Sequence, residues 1–137
     1  MGNDNQNEVR TAKPLYQPGV CNIGKSEILR RQRFGFALTL LALFWAMICG
    51  VFSLGFLWKL LVIIPSFMGV LGLLQAYFHF CAYYGILGVF NIDREAGATE
   101  TVLEKQAKLI DRAQAEKILA ISSGVALVFT LAVEILL

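Results

Sequence analysis

Two long apolar stretches dominate the hydrophobic pattern. From Phe34 to about Leu57 no charged side chain interrupts the run, and a second run extends from Leu60 to about Tyr84. Each exceeds the roughly 20 residues a helix needs to cross a bilayer, and the short turn at Gly55, Trp58 and Lys59 predicts two antiparallel spanning helices. A third run, Ile118 to Leu137, is also long enough to span. Ser26 to Arg33 mixes Ile28 and Leu29 with arginines, a pattern that predicts an interfacial helix ahead of the first span. Pro65, about one turn inside the second span, predicts a local kink. Thr101-Val102-Leu103-Glu104 has capping-box spacing, and Leu103, Ala107, Ile110 and Ala113 form a narrow apolar stripe beyond it. Glu104 and Lys108 stand one turn apart and can pair. These elements predict an all-α membrane protein, a transmembrane helical hairpin plus a cytoplasmic helix continuing into a third transmembrane helix. The expected divisions are a polar tail at 1–20, an interfacial helix and hairpin at 21–92, an amphipathic helix at 93–117 and a final span at 118–137. Asn91 to Gly97 shows no strand pattern and reads as a short connection.

Composition agrees with a bilayer protein. The 137 residues are 57% hydrophobic and 16% charged, whereas soluble domains are roughly one quarter charged. The length allows one compact unit without a separate enzymatic domain of ordinary size. A net charge of +2 gives no reason to expect nucleic acid as a partner. The distribution of charge is more informative. Arg10, Lys13, Lys25, Arg30, Arg31 and Arg33 precede the first span, and Arg94, Lys105, Lys108, Arg112 and Lys117 lie between the second and third, against Lys59 in the turn. The positive-inside rule places both stretches in the cytoplasm and the C-terminus outside. No cleavable signal peptide is expected, because the first apolar run lies behind a polar segment and is too long for a signal core.

Asn22, Gly24, Glu27, Arg30 or Arg31, and Gly35 precede or open the first span, and Cys81, Tyr84, Gly85 and Gly88 close the second. In that order the stretch 21–92 resembles the transmembrane domain of the YgaP-like family of small bacterial inner-membrane proteins, the DUF2892 type. The resemblance implies a two-helix hairpin able to dimerise in a bacterial inner membrane. Some members of that family carry a rhodanese domain that moves sulfur as a cysteine persulfide, and none is present here. The chain departs from the pattern at Ala82, where proline is common, at the added Cys21, and in everything after residue 93.

Candidate chemistry is sparse. Cys21 and Cys81 are expected at the inner face, where a thiol beside Arg30 or Arg31 would gain thiolate character suited to redox or persulfide chemistry. His79 and Cys81 could ligate a metal with Cys21, or His79 a haem, although the His-x-Cys spacing is not that of a zinc module. Packing alone accounts for the same residues, and no cofactor is predicted. Gln75, one turn before His79, puts a second polar group on the same span. Gly69 and Gly72 are small enough for a helix–helix contact, and Leu103 and Ile110 could meet a partner. Lys25, Arg30, Arg31 and Arg33 form a basic cluster at the membrane surface. Phosphate-cradling glycine loops and nucleophile triads are missing from the sequence. The expected function is therefore a non-catalytic membrane subunit that packs against other membrane subunits or itself. Thiol or sulfur handling on Cys81 and Cys21 is the alternative.

Overall fold

The computed structural model describes residues 16–92 and 99–137; the tail at 1–15 and the connection at 93–98 lie outside the described residues. Helix α1 (Lys25–Val51) carries the basic cluster and the first apolar run on one rod of 27 residues. The interfacial helix and first span are thus continuous.

The second run is divided where one long helix was expected. It forms α2 (Phe56–Leu60), α3 (Ile63–Tyr77) and α4 (Ala82–Leu87). Pro65 is the third residue of α3, where backbone N–H groups have no acceptor within the helix, so its missing donor forces no kink. The span ends at Tyr77 and not near Tyr84, because His79 takes a left-handed φ of 54° and turns the chain away. Taken together, Phe56–Tyr77 covers 22 residues, about 33 Å at 1.5 Å per residue. With α1 and α5 (Lys105–Leu136) it makes three helices long and apolar enough to cross a membrane.

The connection after α4 contains a short ladder where none was expected. β1 (Val89–Phe90) pairs antiparallel with β2 (Glu100–Thr101), in the register Val89 to Thr101 and Phe90 to Glu100. Thr101 therefore serves the ladder and does not cap a helix. Val102 is buried and donates its N–H to the Gly88 carbonyl at 2.8 Å, which delays the helix until Lys105 with Glu104 at its N-cap. Lys108 lays its stem against Gly88, and Arg112 pairs with Glu116 at 3.2 Å on the same helix.

Backbone contact between α1 and α3 holds the hairpin. A Cβ on Gly35 would stand 2.7 Å from the Leu73 nitrogen, one on Gly72 would stand 2.9 Å from the Gly35 Cα, and one on Gly69 would meet Thr39 Oγ1 at 2.6 Å. Lipid tails are as apolar as leucine, so burial alone gives no drive for two spans to associate, and small residues that permit close packing supply it. Helix α5 runs back against α3 with a face of Ala115, Ile118, Ser122, Ala126, Thr130 and Val133, all buried. Ser122 and Thr130 return their hydroxyls to the carbonyls four residues earlier, at 2.8 Å each. At the end away from the arginines, Ala46, Val62 and Val133 close the packing, and Trp45 donates its indole N–H to the Trp58 carbonyl at 3.0 Å. Midway a cavity of about 200 Å³ lies among the helices beside Thr39, Ser66 and Ala126. The hydroxyls of Thr39 and Ser66 are committed to the Gly35 and Val62 carbonyls, so neither is a free donor to a ligand there.

Gly35→Val should force α1 and α3 apart and destabilise the fold by about 1–3 kcal/mol, the usual cost of overpacking. Denaturation in mixed micelles against a Gly55→Ala control, where a Cβ meets nothing within 4 Å, measures the difference.

Candidate functional site

The polar chemistry collects at the end of the helices that bears both basic stretches. Asn22 organises it. Its side-chain amide donates to the Cys81 carbonyl at 3.0 Å and accepts from the Cys81 N–H at 2.6 Å, so one side chain mimics a strand neighbour. The backbone of the same residue donates to the His79 carbonyl at 3.3 Å and accepts from the Asn91 N–H at 2.9 Å. Gly24 N–H then donates to the Asn91 carbonyl at 2.7 Å, and Ile23 bridges Asn91 in parallel. Three segments distant in sequence are joined through Asn22, which is fully buried.

Asp111 ties down a fourth segment. It lies on α5 with no exposed surface and accepts from the Tyr16 hydroxyl at 2.6 Å and the Gly19 N–H at 2.7 Å. Gly19 has φ of 70° in a tight turn closed by Gln17 and Cys21, and a Cβ there would stand 2.6 Å from Ile110 Cγ2. Tyr16 stacks on Phe90 with ring centroids 4.6 Å apart. Burial, and next the Asp111 carboxylate, push the Tyr16 phenol far above the ordinary tyrosine value. The described part of the tail, from Tyr16 to Val20, is thus a strap held across α5.

Glu27 and Arg31 complete the layer. Glu27 is buried on the first turn of α1 and pairs with Arg31 at 3.1 Å, while the Arg31 guanidinium lies 5.5 Å from the centre of the Tyr84 ring. Lys25, Arg30 and Arg33 are exposed around it.

The predicted chemistry is rearranged by this packing. Cys81 is buried against Ile23 and Tyr84, and desolvation pushes its thiol above the ordinary value despite the opposing charge of Arg31. The same cause raises Cys21, whose Sγ lies 3.5 Å from the Ile23 carbonyl. The expected lowering of thiol pKa by arginine is therefore reversed, because burial outweighs the nearby cation. Both thiols are free, as is Cys49, buried in the first span. His79 is exposed beyond the end of α3, so it does not share that helix with Gln75 as expected. Among the described residues no three His, Cys, Asp or Glu side chains gather where a metal could bind. Gln75 is buried on α3, Gly69 and Gly72 are held in the α1 contact, Ile110 lies under Gly19, and Leu103 is 93% exposed.

Sequence reading passed over Asp111 and Tyr16, which carry no motif, took Asn22 only as part of a resemblance motif, and placed Asn91 in a short connection. A single carboxylate at an otherwise apolar helix position, between Ala107 and Ala115, is the one signal that could have marked Asp111. No protein-family model matches the chain, and no match is found among the curated proteins or the solved structures.

Asn22→Ala should cost roughly 2–4 kcal/mol, since the Cys81 N–H and carbonyl would both be left buried without partners. Guanidinium or SDS titration in micelles measures it, and a loss below about 0.5 kcal/mol, within the range of an ordinary surface substitution, would contradict the role given to this amide. Maleimide should label Cys21 faster than Cys81 in the folded protein, with Cys81 reacting only on unfolding and both rates rising toward alkaline pH.

Proposed function

We propose that the chain is a small, non-catalytic, multi-pass membrane subunit of a bacterial inner membrane that packs against other membrane subunits or a second copy of itself. One observation carries the reading. Three polar groups buried at the basic end are engaged in the fold itself: Asn22 with Cys81, Asp111 with Tyr16 and Gly19, Glu27 with Arg31. Catalytic groups need a face open to substrate, and these are closed over one another.

The outward surfaces suit association in lipid. No more than 28% of the most apolar window of any span is covered within the chain. On α5, Ala120 and Gly124 are exposed one turn apart, and a Cβ on Gly124 would meet nothing within 4 Å. That spacing of small residues lets a second helix approach closely. Charge supports an orientation with the strap and the start of α5 in the cytoplasm and the C-terminus across the membrane. The alternative, thiol or sulfur handling on Cys81 and Cys21, would place the chemistry on a thiol that burial keeps protonated. The likeness to YgaP-like hairpins agrees with self-association and adds no activity.

Copies bearing two different tags, co-expressed and extracted in mild detergent, should co-purify with each other or with another membrane protein in reproducible stoichiometry. Gly124→Leu should weaken that association. A strictly monomeric protein with no companion would overturn the proposal.

A further inference from the structure

A groove of about 250 Å³ opens between α1 and α3 at the basic end, lined by Arg30, Arg31, Phe34, Met68, Leu71 and Gln75 together with Gly72. Its chemistry is graded along the helices. Arg30, Arg31 and Gln75 stand at the level where the strap and the ladder gather. Phe34 and Leu71 follow one turn further into the span, and Met68 one turn beyond. A polar rim above an apolar floor is the profile of an amphiphile.

Two polar atoms in this groove lack partners among the described residues. Gln75 is 6% exposed, and its Oε1 is buried without a hydrogen bond. Arg31 directs one guanidinium nitrogen to Glu27, while its Nε is buried and unpaired. An orphaned buried donor or acceptor costs about 1–3 kcal/mol, and near a bilayer no bulk water reaches in to relieve it. The unpaired pair is complementary in sense: a guanidinium N–H that wants an anionic oxygen, and a carbonyl oxygen that wants a hydroxyl.

We infer that the groove between α1 and α3 is a binding site for one anionic phospholipid whose headgroup carries a hydroxyl beside its phosphodiester. The phosphate lies on Arg30 and the free Nε of Arg31, since guanidinium forks match phosphate oxygens. The headgroup hydroxyl donates to Gln75 Oε1. The upper part of one acyl chain lies along Phe34, Leu71 and Met68. The volume is below the roughly 300–1,000 Å³ of sites that enclose a whole small ligand, so the rest of each chain remains in the bilayer. The inference depends on the chain crossing the membrane and is independent of whether it has a protein partner.

Native mass spectrometry after stepwise delipidation tests it, with the full chain in nanodiscs of phosphatidylcholine containing phosphatidylglycerol or phosphatidylmethanol. One phosphatidylglycerol should be retained in preference to phosphatidylmethanol, which has the phosphodiester without the hydroxyl. Arg30→Gln should weaken retention about tenfold, one charge-assisted contact's worth. Arg33 does not line this groove but the adjoining hollow, which shares Arg30 and Phe34 with it; Arg33→Gln removes the same charge there and should change retention less than twofold, on the scale of an exposed charge. Gln75→Leu should abolish the preference between the two lipids while keeping the fold. Equal losses from Arg30→Gln and Arg33→Gln would reduce the effect to general surface charge and overturn the site. Full displacement by soluble glycerol phosphate would assign the arginines to a free phosphate and overturn the lipid. Equal retention of both lipids by the unaltered protein would overturn the hydroxyl contact.

Discussion

The bracket that Asn22 places on the Cys81 backbone is the interaction on which the polar end of this protein depends. A helix that stops beside a bilayer leaves carbonyls and N–H groups exposed in a region with little water to satisfy them. Between α3 and α4 the chain abandons helical geometry at His79, and the groups released there at His79 and Cys81 are taken up by Asn22. The same residue passes the connection on to Asn91, so the start of α1, the end of the hairpin and the ladder after α4 share one hydrogen-bonded node. Removing any of the three segments would orphan groups on the other two. That interdependence makes the second apolar run stop at Tyr77, and it determines where every neighbouring side chain stands.

The spans answer a different constraint. Inside a membrane, leucines gain nothing by moving from lipid to protein, so contact must come from shape. Gly35 against Gly72, and Gly69 against Thr39, bring two backbones within van der Waals range. Helix α5 has its close glycine contact with α4, where a Cβ on Gly85 would stand 2.9 Å from the Asp111 carbonyl oxygen, and meets α3 differently. It uses alanine, serine and threonine at the positions facing α3, with each buried hydroxyl returned to its own helix. The two modes combine without conflict because one is backbone against backbone and the other side chain against side chain. Their polar ends are then locked separately, α1 and α3 by Asn22 and α5 by the strap on Asp111.

These two constraints differ in how plainly they are written in the amino-acid order. A span is a property of composition over about 20 residues, so the runs opening at Phe34 and Ile118 could be read directly, although the first helix ends at Val51 and not near Leu57. The end of the second span could not, because Phe78, Phe80 and Tyr84 are as apolar as the residues before them, and the break arises from partners 57 and 69 residues away from His79 and Asn91 respectively relative to Asn22. Asparagine in a connecting segment is ordinarily a turn residue with its amide in water, and only tertiary closure turns Asn22 into a buried strand mimic. The glycines were visible as small residues, but their partner was not, since Gly35 and Gly72 meet only once the hairpin has closed. The thiols were misjudged for the same reason: their nearness to arginine could be inferred from topology, their burial could not, and burial decided the sign of the shift.

Arg31 shows how structure and affinity for lipid can be built from one residue. Its charge could not be buried beside Tyr84 without Glu27, and the pair is held by a spacing of one helical turn that fixes the guanidinium in place. A fixed guanidinium loses little further freedom on meeting a phosphate, whereas Arg30 and Arg33, exposed on the same helix, must be ordered by whatever they bind. Of the two arginines lining the groove, the one already anchored in the fold therefore loses less freedom on binding, while Arg33, outside the groove, supplies attraction that any anionic surface would feel. Hold on the phosphate thus draws on the internal ion pair, and a substitution at Glu27 would weaken it without touching the groove itself.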